Sequence, residues 1–101
     1  MDRMEEICFK MISNVGMARS LYIESIQLAK EGMFNEAYEK IEKGKNLFLE
    51  GHKAHAQLIH DEANGIETNV GILLIHAEDQ LMSAETFLIM AEEFIEVYKS
   101  R

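Results

Sequence analysis

Four histidines, His52, His55, His60 and His76, are the side chains in this sequence with chemistry near neutral pH. His52 and His55 sit three apart, a spacing that two metal ligands on one helix could share. No further cysteine or histidine completes such a set, so packed or exposed histidines are the expectation there. His76 keeps different company. Asp79 follows one helical turn later and Glu78 lies close. A carboxylate a turn away can hold an imidazole in one tautomer and leave its other nitrogen free as a nucleophile. The same His-x-x-Asp spacing also arises by chance, and a histidine at the edge of a core is the plain structural alternative. The chain has no glycine-rich phosphate loop, no Cys-x-x-Cys pair and no nucleophile elbow.

A small scaffold must position these groups. The 101 residues form one domain, 1–101. Hydrophobic residues at 48% and charged residues at 28% place it among globular chains and not disordered ones. The net charge of −8 disfavours nucleic acid and anionic membrane as partners and favours proteins with basic patches. Cys8 is the one cysteine, so no internal disulfide forms, and its place on an apolar stripe predicts a buried, inert thiol. No signal peptide or long apolar span is evident, so a reducing, cytoplasmic setting is the expectation.

Periodicity predicts three helices, at about 3–31, 35–64 and 70–100. The first carries Met4, Cys8, Met11, Val15, Ala18, Tyr22, Ser25 and Ala29 on one face, with Gly32 as its stop and Asn35 as the cap of the next. The second carries Phe34, Ala37, Ile41, Gly44, Phe48, Gly51, His55 and Leu58. Two glycines on an inward stripe imply close approach by a neighbour, since each costs the helix about 1 kcal/mol against alanine. Asn64-Gly65 stops this helix, and Thr68 or Asn69 is the expected cap of the third. There, Leu74, Ala77, Leu81, Ala84, Leu88, Ala91, Ile95 and Tyr98 repeat as heptads beside Leu73, His76, Gln80, Ser83, Phe87, Met90, Phe94 and Val97. The two columns are expected to form one wide core face, leaving His76 partly buried. Ile75, Met82 and Ile89 form a further apolar column beyond it, next to Ile72, Asp79 and Thr86. A helix apolar on two sides usually buries both, so self-association through the third helix is expected. Short links make an antiparallel three-helix bundle the predicted fold. His55 and Asp79 are each 12 residues from Glu67 in the second loop, which puts them at similar height.

The run Leu73-Leu74-Ile75-His76-Ala77-Glu78-Asp79-Gln80-Leu81-Met82 resembles the phosphorylation motif of the lactose/cellobiose class of enzyme IIA components of the bacterial sugar phosphotransferase system. Gly16-Met17-Ala18-Arg19-Ser20 resembles the family's Gly-x-Ala-Arg-Ser element. Ala29-Lys30-Glu31-Gly32-Met33-Phe34 resembles its first turn, and His52 with Glu62-Ala63-Asn64-Gly65 the end of its second helix. The resemblance spans nearly the whole chain. It implies a homotrimer of three-helix protomers and a phosphoryl carrier in which His76 is phosphorylated at Nε2. The implied donor is the phosphocarrier HPr, and the implied acceptor is a cysteine of enzyme IIB. Asp79 matches an aspartate that faces the trimer axis and can hold a divalent cation. Magnesium suits few carboxylates completed by water. Gln80 stands where the family usually has a second histidine, and His55 where it usually has glutamine; both are candidate supporting residues around His76. Two other readings compete. One is a purely structural, trimeric helical adaptor. The other is a histidine phosphotransfer domain of two-component signalling, whose His-x-x-Lys-Gly motif is not matched, since Asp79 follows His76 by three and no glycine comes next. The sugar is not readable, and lactose, cellobiose and diacetylchitobiose remain open.

Overall fold

A computed structural model describes all 101 residues and contains three helices and no strands: α1 (Arg3–Lys30), α2 (Phe34–Ala63) and α3 (Ile72–Lys99). The molecule is a rod of 53 × 20 × 20 Å. Helix α1 starts where the Asp2 carboxylate accepts the Glu5 backbone N–H at 2.8 Å. It stops at Gly32, whose φ of +79° is a conformation that glycine adopts without a Cβ penalty.

Two expected caps are not used. Helix α2 begins at Phe34 with Met33 in the cap position and no side-chain cap bond, not at Asn35. Phe34 packs against the lower core, and placing it in the first turn outweighs the roughly 1 kcal/mol that a cap contributes. Helix α3 begins at Ile72, after Gly71, so neither Thr68 nor Asn69 caps it. Its first buried residue is Leu74, and residues 69–72 before it are exposed, so no packing favours a helix that starts earlier.

The inward stripes meet in two clusters. Ile7, Cys8, Met11, Val15, Ala54, Leu58, Leu74, Ala77, Leu81 and Ala84 fill the upper one. Ala18, Tyr22, Ala29, Ala37, Ile41, Ala91 and Ile95 fill the lower one. Residue pairs rise on one helix as they fall on the next. Arg3 meets Asp61, with Nε to Oδ2 at 2.9 Å, and further along Val15 meets Gly51 and Tyr22 meets Gly44. Both inward glycines have their reason here. A Cβ on Gly44 would lie 2.5 Å from Tyr22 Cε1, and one on Gly51 would lie 2.6 Å from Val15 Cγ1. The bare backbone of α2 is what lets α1 lie so close. Cys8 is buried, and that burial raises its thiol pKa, as expected of an inert group.

Tyr22 is fully buried and its hydroxyl has no hydrogen-bond partner. Burial, reinforced by the charges of Glu92 and Glu42, pushes the phenol up to about 12. The unfolded phenol titrates near 10, so this shift contributes stability below about pH 10 that is lost as pH rises towards 12. Removing an unpaired buried hydroxyl also relieves a desolvation cost. Tyr22→Phe is therefore expected to raise stability by about 1 kcal/mol at pH 7 and to flatten the loss above pH 10. Urea denaturation at pH 7 and pH 11 checks both.

One expectation about α3 is corrected. Leu74, Ala77, Leu81, Ala84, Ala91 and Ile95 are buried as the heptads require. The neighbouring column is not a second core face: His76, Met90, Phe94 and Val97 are exposed, and Leu73, Gln80, Ser83 and Phe87 only half-buried. Two neighbours, α1 and α2, cover only part of a helix's circumference, and periodicity cannot tell which of two adjacent apolar columns they cover. Ile75, Met82 and Ile89 are exposed at 60%, 67% and 58%. An apolar, solvent-open face thus runs the length of α3.

Candidate functional site

His76 lies in the second turn of α3, on that open face, and is exposed, not partly buried. Asp79 follows on the same face, a turn nearer its middle, and is exposed as well. Gln80 sits a turn below His76 on the side towards α1 and is half-buried. The three are held by a helix anchored through Leu74, Ala77 and Leu81, so their backbone positions are rigid.

The start of α3 is bare. Gly71 supplies no side-chain cap and no acidic residue stands in the first turn. The first N–H to find a helical acceptor is that of Ile75, which donates to Gly71 O at 3.1 Å. The N–H groups of Ile72, Leu73 and Leu74 are left pointing out of the helix end, within about 6 Å of rise of His76. Such an end favours negative charge.

His55 does come to the height foreseen from its distance to the loop, but on the other flank. Its Nε2 donates to Glu78 Oε1 at 3.0 Å, joining α2 to α3. Glu78 and His76 are two residues apart on α3, which places them about 160° apart around it. Within one chain, His55 therefore stands beside Glu78 and away from His76. The same flank holds a cleft of about 500 Å³, lined by His55, Leu58, Glu62, Ile66, Ile75 and Glu78 among others. His52 stacks on Phe48 with ring centroids 6.3 Å apart, and His60 is exposed.

Two charged contacts escaped the sequence. Asp61 is buried and holds Arg3 in a two-pronged bond, Nε–Oδ2 at 2.9 Å and Nη2–Oδ1 at 3.2 Å, which raises the guanidinium pKa. Its signal was available, because Asp61 continues the inward column Ala54, Leu58. Arg19 lies over the Phe87 ring at 4.9 Å, and its Nε is buried without a partner. Arg19 is thus tied to α3 about eleven residues below His76, too far down the helix to serve it.

Residues 6–99 match the family described as "PTS system, Lactose/Cellobiose specific IIA subunit". The chain belongs to this family. The lichenan-specific phosphotransferase enzyme IIA component of Bacillus subtilis is 38% identical over 98 residues, covering 97% of this chain and 89% of that protein. The lactose-specific EIIA component of Staphylococcus epidermidis is 30% identical over 98 residues, 97% of this chain and 94% of that one. The crystal structure of the cellobiose-specific enzyme IIA from Bacillus anthracis matches with a TM-score of 0.96 and 44% identity, over 99% of this chain and 92% of that one. A IIA chain is a component of a sugar phosphotransferase system, and no helix here is long and apolar enough to cross a membrane. Within one chain no three His, Cys, Asp or Glu side chains stand together as metal ligands.

Proposed function

We propose that this chain is the phosphoryl carrier of a lactose/cellobiose-type phosphotransferase system, working in the cytoplasm through His76. The observation that carries the reading is an exposed histidine in the second turn of a helix anchored by Leu74 and Ala77, just past an uncapped start, in a chain of the IIA family. The His76 Nε2 lone pair attacks the phosphorus of the phosphohistidine on HPr. The N–P bond to the donor breaks, and its electron pair returns to the donor imidazole. The phosphoryl group then leaves His76 in the same manner when a cysteine thiolate of enzyme IIB attacks it. Such transfers need positioning and charge stabilisation more than covalent help from the protein. The free N–H groups at the start of α3 supply positive potential near the site. An open face admits donor and acceptor in turn. Incubation with phosphoenolpyruvate and the general phosphotransferase proteins tests the reading. Labelling that then moves to enzyme IIB supports it, and an unlabelled protein overturns it in favour of a structural adaptor.

The antiparallel protomers assemble as a homotrimer through the open face of α3, which a lone chain leaves in water. Asp79 lies in the middle of that face, so a threefold arrangement gathers three carboxylates near one axis. Their repulsion, and their loss of water, calls for protonation or a hard cation. A magnesium ion with water as its remaining ligands fits three such oxygens. The ion is structural and takes no part in the transfer. Chelator is expected to lower the melting temperature of the native trimer by several degrees, whereas Asp79→Leu makes it indifferent to chelator. A chelator response that survives Asp79→Leu places the metal elsewhere.

A further inference from the structure

We propose that the charge of the upper half of the rod sets how readily His76 gives up its phosphoryl group, by raising the energy of the loaded carrier. This rests on the carrier reading above. Loading exchanges one phosphohistidine for another. One N–P bond breaks at the donor, its electron pair returns to the donor imidazole, and one N–P bond forms at His76. The two bonds are alike, so their energies nearly cancel, and the surroundings of the group decide where it rests. A phosphoryl group brings nearly two negative charges to its site.

Those surroundings are polarised along the rod. Val15, Gly51 and Ala84 stand near its middle. The half above them, residues 1–16 and 50–83, holds His76 and carries nine acidic and three basic side chains. The half below carries nine acidic and seven basic ones. Of the net charge of −8, −6 thus lies in the half with His76. The three upper bases give little relief. Arg3 is held by Asp61, and Lys53 lies 3.4 Å from Glu50, which leaves Lys10. In the lower half Lys40 pairs with Glu24, and Lys45 with both Glu42 and Glu92.

Glu5, Glu62 and Glu67 stand at the upper end and take part in no ion pair. Helices α1 and α3 run in parallel, with Arg19 over Phe87, so Glu5 comes level with Leu73, about 5 Å of rise above His76. Packed helices lie about 8–10 Å apart, which is about one Debye length at physiological salt. A carboxylate at that range shifts the resting place of a doubly charged group about two- to fourfold. The bare amides at the start of α3 act the other way. They stand close to the group, whereas the carboxylates act through solvent, so salt weakens the repulsion more than the attraction. On delivery an acceptor thiolate forms an S–P bond as the N–P bond to His76 breaks, and its electron pair returns to the ring. Release from the acidic half adds to the drive of that step.

The loading equilibrium tests this, and it does not depend on how tightly the partners dock. The chain is mixed with phospho-HPr, or the labelled chain with HPr, and intact mass gives the same final ratio from both sides. Replacing Glu5, Glu62 and Glu67 together by glutamine should shift that ratio about tenfold towards loaded His76 at low salt. Replacing Glu31, Glu39 and Glu93 by glutamine changes the net charge equally at the far end of the rod, about 30 Å away, and should shift it less than twofold. Salt raised from about 0.02 to 0.5 M should move the native ratio in the same direction as the upper substitutions, and should move the upper variant less. All six glutamates lie on exposed or half-buried helix and loop positions, and circular dichroism checks that both variants keep the fold. An upper variant with the native ratio overturns the proposal, as does a lower variant that shifts it equally. Either result leaves the carrier reading standing, because label still enters. A native protein that takes no label sinks the carrier reading, and the proposal with it.

Discussion

His76→Ala should abolish labelling by phospho-HPr and leave the helices as they are. The effect is expected to be total because the reaction needs one nucleophilic nitrogen at one place. The substitution is also gentle on the fold. His76 is exposed, so no cavity forms, and alanine is the best helix former. The label on the native protein should be acid-labile and base-stable, as a phosphoramidate is. Intact-mass measurement after reaction with phosphoenolpyruvate and the general phosphotransferase proteins reads the result, and circular dichroism checks the helix content. A substituted protein that labels fully would move the acceptor to His52, His55 or His60.

Met82→Glu should take the assembly apart. Met82 is 67% exposed in the isolated protomer, so the change does little to a single chain. In a threefold ring, however, it places one carboxylate in each of three apolar seams. Each loses much of its hydration there without gaining a cationic partner, at a cost of several kcal/mol per seam. Dissociation at micromolar concentration follows, with a shift by light scattering from three chains of 11.6 kDa to one. Glu85→Lys is the control. Glu85 is exposed on the solvated line of the helix, on the side that faces α2 and Lys45, and its reversal should be felt weakly. Native protein that is monomeric at the outset overturns the assembly.

What could be read from the sequence divides by how far each contact reaches. The inward face of α1 was largely legible: Cys8, Met11, Val15, Ala18, Tyr22, Ser25 and Ala29 are buried as the helical period selects, whereas Met4 is only half-buried and the flanking Ile7 and Leu21, also buried, lie off the single column. Gly44 and Gly51 announced a close neighbour, though only the register of α1 against α2 reveals Tyr22 and Val15 filling the space. On α3 the period identifies apolar columns but not where neighbours stand, so the column through His76 looked like core and is surface. His55 shows the same division. Counting from the loop gave its height, but its flank depends on how α2 leans on α3, and that lean brings Lys45 Nζ to 3.4 Å from Glu92 Oε2 and Tyr38 Oη to 2.9 Å from Glu96 Oε1. The candidate pair His76 and Asp79 stands out in the sequence as a motif, while its exposure does not.

The bare beginning of α3 ties the state of the site to local opening of the chain. Amides with no acceptor exchange their hydrogens with water readily, and a first turn without a cap frays easily. A phosphoryl group on His76 carries nearly two negative charges and stands close to those amides, so it holds that turn closed. Protection of Ile72 to Leu74 should therefore rise when the protein is charged with phosphate and fall when it has delivered it. A loaded carrier and an empty one would then differ in the stiffness of one helical turn, a difference that an acceptor could sense before any bond is made.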